Sequence, residues 1–159
     1  MNKLVIVPHK DIYPKLLYAI CEIKKSAWPY DLEEHKKWIL ENINDSDFHI
    51  LLKVNGQYKA YLNLVHIYIS DKAGNKFKSF GIGNVCSASK GKGLGRALMK
   101  LTNNYIRKEN NIGVLFCKKE LISFYIQFNY KVYNEVEKGV FLMAFNYNSD
   151  YINYEGPRF

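Results

Sequence analysis

The stretch Val85-Cys-Ser-Ala-Ser-Lys-Gly-Lys-Gly-Leu-Gly-Arg-Ala-Leu-Met99 decides how this chain folds. An apolar, β-prone run leads into it, a turn rich in glycine and lysine occupies its centre, and an amphipathic helix follows from about Leu94. Gly91, Gly93 and Gly95 alternate, so the backbone can adopt conformations closed to other residues and can approach a ligand closely. The first N–H groups of a helix lack intrahelical partners and carry partial positive charge. The turn is therefore predicted to bind phosphate oxygens.

Basic side chains add positive charge at the same turn, from Lys90, Lys92 and Arg96. Two common phosphate-binding motifs do not fit. The P-loop spacing is absent, and the dinucleotide fingerprint needs a third glycine where Leu98 stands. A solvated basic turn that binds no ligand is the simpler alternative.

Composition limits the class of protein. A chain of 159 residues is expected to form one domain over positions 1–159, and its 48% hydrophobic and 15% aromatic content argues against disorder. No apolar run reaches membrane-spanning length, so we expect a cytoplasmic protein with no membrane partner. The net charge of +8 favours an anionic partner, either nucleic acid, acidic lipid or a phosphorylated cofactor.

The three cysteines, Cys21, Cys86 and Cys117, are odd in number and lack metal-ligand spacing. We expect reduced, mostly buried thiols and no metal site.

Hydrophobic periodicity and turn signals predict eleven elements in the order β-α-α-β-β-β-α-β-α-β-β. The Asn55-Gly56 turn marks a hairpin, and Asp31 with Glu34 marks a helix start. The result is an α/β fold with a mixed, mostly antiparallel central sheet flanked by helices. The predicted strands are 4–7, 49–54, 58–69, 77–86, 112–117, 131–136 and 139–147; the predicted helices are 16–27, 32–41, 94–109 and 120–129.

Lys90-Gly91-Lys92-Gly93-Leu94-Gly95 resembles the (Arg/Gln)-x-x-Gly-x-Gly/Ala signature of the GCN5-related N-acetyltransferases. Lys90 departs from the usual Arg or Gln, which keeps the charge but loses the planar fork of a guanidinium. The element order is also that of the family, so the resemblance covers nearly the whole chain. It implies the GNAT acyl-CoA N-acyltransferase fold, acetyl-CoA (coenzyme A) as cofactor, and direct acetyl transfer to a primary amine of a small molecule.

A second local match concerns Tyr125. The segment Phe124-Tyr125-Ile126-Gln127-Phe128-Asn129-Tyr130 resembles the family phrase Phe-Tyr-x-x-x-Gly-Phe, with Asn129 at the glycine position. The resemblance implies that Tyr125 protonates the departing thiolate of coenzyme A, a role for which a phenol is a suitable donor. A core aromatic without a catalytic role is the alternative.

The resemblance also implies a set of cofactor contacts. Backbone groups near the end of the fourth strand would pair with the pantetheine arm, and the N–H groups of the glycine turn would hold the pyrophosphate. The implied cofactor-binding residues are Asn84, Val85, Lys90, Gly91, Lys92, Gly93, Leu94, Gly95 and Arg96.

The acceptor side is less well defined. Many relatives place a carboxylate on the fourth strand to take the proton of the amine, but residues 78–85 contain none. A water chain, His66 and an amine that is already neutral all remain open. Cys86 has nothing nearby in sequence that would lower its pKa, so it is not predicted to be a nucleophile. Trp28, Tyr30 and Asp31 are the candidate substrate-binding residues, with core packing of the two aromatics as the alternative.

Other functions also fit parts of the sequence. Residues 48–99 have the layout of the aminoglycoside 2′-N-acetyltransferases, whose polycationic acceptors need clustered acids. A basic nucleic-acid-binding module and a non-catalytic acyl-CoA-binding protein are the alternatives from other classes. We expect a small-molecule amine and no nucleic acid as partner, and the sequence leaves a homodimer open. The acids available for an aminoglycoside are Asp31, Glu33, Glu34, Asp150 and Glu155.

Overall fold

The computed structural model describes residues 1–159 and contains one seven-stranded sheet and four α-helices. The sheet order is β1-β2-β3-β4-β5-β7-β6, with β4 and β5 parallel. The strands are β1 (Asn2–Pro8), β2 (Phe48–Val54), β3 (Gln57–Ser70), β4 (Lys76–Ser87), β5 (Ile112–Lys118), β6 (Lys131–Glu137) and β7 (Val140–Phe145); the helices are α1 (Pro14–Ala27), α2 (Leu32–Asn42), α3 (Leu94–Lys108) and α4 (Ile122–Ile126).

This order of elements confirms the predicted mixed α/β fold. Two predicted elements are too long: the last strand, expected over 139–147, ends at Phe145, and the helix expected over 120–129 has α-helical geometry only from Ile122 to Ile126. The N–H groups of Phe128 and Asn129 donate to the carbonyl groups three residues earlier, where an α-helix would use those four residues earlier. Asn129 has a φ of 67°. A left-handed asparagine ends the helix, because the short side chain tolerates that conformation.

Residue contacts divide the chain into two compact units, and β3, β4 and α3 each contribute residues to both. The first unit is 1–65 with 84–102, and the second is 66–83 with 103–159. The expectation of one domain over 1–159 stays a prediction.

The first unit contains α1, α2 and an antiparallel β1-β2-β3 meander. Asn55 and Gly56 both have positive φ, 48° and 82°, which is the geometry of the predicted two-residue hairpin. The predicted helix start is also present, because Asp31 accepts the N–H of Glu34 while the Glu34 carboxylate accepts the N–H of Asp31. Ile20 and Ile39 are fully buried, and they anchor the two helices in the core.

The second unit contains a buried polar tie between α3 and the segment after α4. The Tyr130 hydroxyl donates to Oδ1 of Asn103 at 2.8 Å, and Nδ2 of Asn103 donates to the carbonyl of Phe128 at 2.9 Å. Both side chains are buried. The tie therefore satisfies groups that would otherwise lie unpaired in the core.

We expect Tyr130→Phe to lower the free energy of unfolding by about 1–3 kcal/mol, because the buried Oδ1 of Asn103 loses its donor. Urea unfolding followed by circular dichroism measures the change. An unchanged midpoint would contradict this account of the tie.

The C-terminal segment is bound to the second unit rather than loosely held on its surface. Asn153 and Ser70 exchange two backbone hydrogen bonds of 2.9 Å, and Ile152 is buried. The Phe159 ring packs on Gly81 and lies 5.1 Å from the Phe116 ring. Gly81 is needed at this position, because a Cβ there would come within 2.7 Å of the Phe159 ring.

Candidate active site

The glycine turn that the sequence singled out is open. Gly91 and Gly93 have φ of 73° and 72°, a conformation that costs most other residues strain, and no atom lies within 4 Å of where a Cβ would be. Gly95 is different, because it lies inside the first turn of α3. The turn thus keeps its backbone accessible at two of the three glycines.

The N–H groups at this turn are unused within the protein. The first backbone bond into α3 runs from Ala97 N–H to the carbonyl of Gly93 at 3.1 Å, and the N–H groups of Gly91 and of residues 93–96 donate to no protein acceptor. No acidic residue occupies the first turn of α3, while Lys90, Lys92 and Arg96 are exposed around it. Free donors and positive charge at a helix start form a site for an anion.

Asn84 lies within β4 and is the first residue of that strand that belongs to the first unit. Its φ is 56°, and its side-chain amide donates to Oδ1 of Asn63 at 2.5 Å. Asn63 is fully buried and its own Nδ2 has no partner. The pairs between β4 and β5 end at Ile82. The β4 backbone is therefore distorted at Asn84, beyond the last residue that pairs with β5, and both Asn84 and Val85 are half-buried.

Tyr125 lies on α4 in the second unit and is 7% exposed. Its ring packs edge-on against Phe124 and Tyr130, with centroids 5.1 and 5.9 Å away. Burial, and to a lesser degree the nearby Cys117 thiol, raises the pKa of Tyr125 above its ordinary value. Unlike the Tyr130 hydroxyl, the Tyr125 hydroxyl donates to no protein group. The side chain is thus a protonated phenol with its donor unused.

A cavity of about 440 Å³ lies in the first unit, beside Asn84. We call it the aromatic cavity, because both tryptophans of the chain and one tyrosine form its walls. The ring of Tyr30 is edge-on to His35, and Nε2 of the buried His35 lies 3.3 Å from the carbonyl oxygen of Trp28. Its lining residues are Lys24, Trp28, Tyr30, Glu34, His35, Trp38 and Asn84.

The structure brings Trp28 and Tyr30 together in this cavity, and their role in binding a substrate stays a prediction. Trp28 is half-buried and Tyr30 is 55% exposed, so Tyr30 is not a core residue. Asp31 does not line the aromatic cavity, and its carboxylate caps α2. Its role in binding a substrate stays a prediction.

Lys24 is a component of the cavity that sequence analysis missed. It is 2% exposed, its Nζ lies 4.3 Å from the centroid of the Trp38 ring, and it forms no ion pair and no hydrogen bond. Burial lowers the pKa of Lys24 to about 8, an effect that the nearby Cys86 and Cys21 partly oppose. A signal existed in the sequence, because Lys24 follows Ile20 by four residues and Cys21 by three, on the apolar stripe of α1.

The remaining candidates are ordinary residues or are committed elsewhere. Cys86 is buried, and burial raises its pKa to about 12 although the nearby Lys24 opposes the shift, so the thiolate that a nucleophile needs is disfavoured. All three cysteines are free and buried, as predicted. His66 is exposed on β3, with its ring 5.2 Å from the Phe80 ring. Of the five candidate acids, Asp31, Glu33 and Glu34 belong to the first unit, and Asp150 and Glu155 belong to the second.

The structure contains no cluster of three or more histidine, cysteine or acidic side chains able to hold a metal ion. None of its helices combines the length and the apolar character that a membrane crossing requires.

The fold matches solved acyltransferase structures. An acyl-CoA N-acyltransferase from Pseudomonas aeruginosa aligns with a TM-score of 0.65 and 22% identity over 91% of this chain and 99% of its own. ElaA from Escherichia coli aligns with a TM-score of 0.64 and 20% identity over 91% of this chain and 99% of its own. The PaiA N-acetyltransferase from Thermoplasma acidophilum, solved in complex with coenzyme A, aligns with a TM-score of 0.59 and 13% identity over 91% and 99%.

No family model and no curated protein matches the sequence of the chain. The structural matches nevertheless confirm the fold that the glycine-turn motif indicated. The chain has the fold of the GCN5-related N-acetyltransferases, a class of acyl-CoA-dependent acyltransferases.

Proposed function

We propose that this chain is an acetyl-CoA-dependent N-acetyltransferase that moves an acetyl group directly to a primary amine of a small molecule. The observation that carries the proposal is the open glycine turn, whose unused N–H groups head α3 in an acyltransferase fold. One structural neighbour with this fold was solved with coenzyme A bound, which supports an acyl-CoA ligand here.

The cofactor would be held by its negative charges and by its extended arm. The N–H groups of the turn would bind the pyrophosphate oxygens, and Lys90, Lys92 and Arg96 would neutralise the rest of their charge. The backbone at Asn84 and Val85 would offer hydrogen bonds to the pantetheine amides. When bound, acetyl-CoA supplies an activated thioester carbonyl.

The reaction requires two proton movements. Direct transfer would form a C–N bond between a neutral amine and the acetyl carbonyl carbon and would break the C–S bond to coenzyme A. We propose Tyr125 as the general acid that protonates the departing sulfur, because its pKa keeps the phenol protonated and its donor is unused. Residues 78–85 of β4 contain no carboxylate to receive the amine proton. A water chain or His66 would receive this proton; an amine that arrives neutral would need no base before it attacks and would release its proton to solvent as the amide forms.

The aromatic cavity is the proposed acceptor site, because it is concave, is lined by aromatic rings and includes Asn84 of β4. Its charged lining residues are Lys24, which is buried, and Glu34, whose carboxylate is engaged in capping α2. This lining disfavours an aminoglycoside, because a polycation would need clustered free acids.

Thiol release from acetyl-CoA, measured over a panel of small primary amines, tests the proposal. We expect at least one amine to raise thiol release above the rate of acetyl-CoA hydrolysis. Binding of acetyl-CoA without acetylation of any amine would favour a non-catalytic acyl-CoA-binding protein. Steeply salt-dependent binding to oligonucleotides without acetyl-CoA binding would favour the nucleic-acid-binding module.

A further inference from the structure

Lys24 is a buried cation without an anion. The side chain is 2% exposed and forms no ion pair; its Nζ lies 4.3 Å from the centroid of the Trp38 ring, and the protonated Cys86 and Cys21 thiols are nearby. A buried ammonium normally has a carboxylate or several hydrogen-bond acceptors around it, because desolvation otherwise costs several kcal/mol. The protein itself does not supply that group here.

The protonation state of Lys24 favours an anion as its missing partner. With a pKa of about 8, the amine is mainly an ammonium at neutral pH. A ring face stabilises such a cation, but less than a charge-assisted hydrogen bond does. The cavity that Lys24 lines is also lined by the exposed Tyr30, so it reaches the protein surface and a small ligand can enter it.

The rest of the lining indicates what else the ligand contains. Trp28, Trp38 and Tyr30 present large aromatic surfaces, which bind flat or apolar groups. Asn84 connects the cavity to the part of β4 where the acyl arm is proposed to bind.

We infer that the aromatic cavity binds an amine that also carries a carboxylate, with the Lys24 ammonium bound to that carboxylate and the aromatic walls packed on an apolar side group. This inference rests on the proposed acetyltransferase function, and it narrows the acceptor from any primary amine to an aromatic or apolar amino acid. A general base at Lys24 is the competing role, and it would require the minor, neutral form of the amine at neutral pH.

A matched pair of probes tests the inference. Phenylalanine and phenethylamine share an amine and a ring and differ only in the carboxylate. Trp28 and Trp38 are the two tryptophans of the chain and both line the cavity, so intrinsic fluorescence reports binding there without any acetyl transfer. Each probe is titrated against the wild type, Lys24→Met and Lys25→Met, in which an exposed neighbouring lysine is replaced as the control.

We expect phenylalanine to bind the wild type at least about tenfold more tightly than phenethylamine, and Lys24→Met to abolish that preference while Lys25→Met keeps it. Equal affinities for the two probes, no saturable binding of phenylalanine, or a Lys24→Met variant that keeps the preference would each overturn the inference.

Acetyl transfer to the same two probes separates the inference from the proposed function. We expect Lys24→Met to lower kcat/KM for phenylalanine at least about tenfold more than it lowers kcat/KM for phenethylamine. Equal losses for both amines would indicate a general base or a structural role and would overturn the inference. If phenylalanine binds in the Lys24-dependent manner but neither phenylalanine nor any other amine of the panel receives an acetyl group, the carboxylate site stands and the acetyltransferase proposal fails.

Discussion

Tyr125→Phe is expected to lower kcat for acetyl transfer by about 100- to 10,000-fold, the range that a positioned general acid contributes. The substitution removes one oxygen from a side chain that is 7% exposed and whose hydroxyl has no protein partner, so it leaves no buried group unsatisfied. We therefore expect the Kd for acetyl-CoA and the midpoint of urea unfolding to change little. Stopped-flow or steady-state thiol release with a saturating amine measures the effect.

Tyr130→Phe is the matched control for this prediction. Tyr130 lies five residues later, is also buried, and differs in that its hydroxyl donates to Asn103. The Tyr130→Phe variant should have a lower free energy of unfolding and the wild-type kcat per folded molecule. This is the reverse of the pattern expected for Tyr125→Phe. A Tyr125→Phe variant with wild-type kcat would show that the thiolate leaves without a proton from this phenol.

Lys24→Met is expected to raise the free energy of unfolding at about pH 7 by roughly 2–3 kcal/mol, because it replaces a buried ammonium that has no counterion. The pKa of Lys24 is about 8 in the folded protein and that of an unfolded lysine is near 10.4. Below the pKa that Lys24 has in the folded protein, the amine is protonated in both the folded and the unfolded state. The folded wild type then carries the full free-energy cost of burying the ammonium. Between the two pKa values the unfolded state binds more protons, so the stability of the wild type rises with pH relative to Lys24→Met.

The groups around Lys24 are present in both proteins, and two of them keep one charge state in the folded protein over this range. Burial, and then the charges of His9 and Lys24, lower the pKa of His49 to about 3, so it stays neutral. The pKa of Cys86 is raised to about 12, and burial also raises that of Cys21 above its ordinary value. Neither Cys86 nor His49 changes charge between neutral pH and about pH 10.

Urea unfolding of the wild type and Lys24→Met at about pH 7 and about pH 10 measures the difference. We expect the advantage of Lys24→Met to shrink to less than about 1 kcal/mol at the higher pH. A constant difference between the two proteins across this range would mean that Lys24 titrates as an ordinary surface lysine.

Local chemistry explains which parts of the structure could be predicted from the sequence. The Asn55-Gly56 turn and the Asp31 to Glu34 capping box each depend on a few adjacent residues, so they could be identified without knowledge of the rest of the chain. Gly91 and Gly93 are similar, because positive φ is needed within the turn itself. The final helix was predicted too long because the left-handed Asn129 was treated as its last residue, whereas the tighter bonds begin at Phe128.

The parts that could not be predicted depend on tertiary contacts. A lysine within an apolar stripe is normally expected to extend its amine into solvent, and only the position of Trp38 on α2 shows that Lys24 is enclosed. The distortion at Asn84 likewise depends on Asn63, which is distant in sequence and pairs with it across the sheet.

The central claim is that the unused N–H groups of the glycine turn bind the pyrophosphate of acetyl-CoA. A matched pair of variants isolates it: Gly93→Val and Gly74→Val each place a β-branched residue at a positive φ, 72° and 86°, with no atom within 4 Å. Only Gly93 belongs to the glycine turn. Both variants therefore introduce similar backbone strain, but only Gly93→Val should weaken the binding of acetyl-CoA.

Calorimetric titration with acetyl-CoA is the direct measurement. We expect saturable binding to the wild type and to Gly74→Val, at least about tenfold weaker binding to Gly93→Val, and much weaker binding of acetyl-pantetheine, which lacks the pyrophosphate. Absence of acetyl-CoA binding to the wild type, or equal affinities for acetyl-CoA and acetyl-pantetheine, would contradict the account.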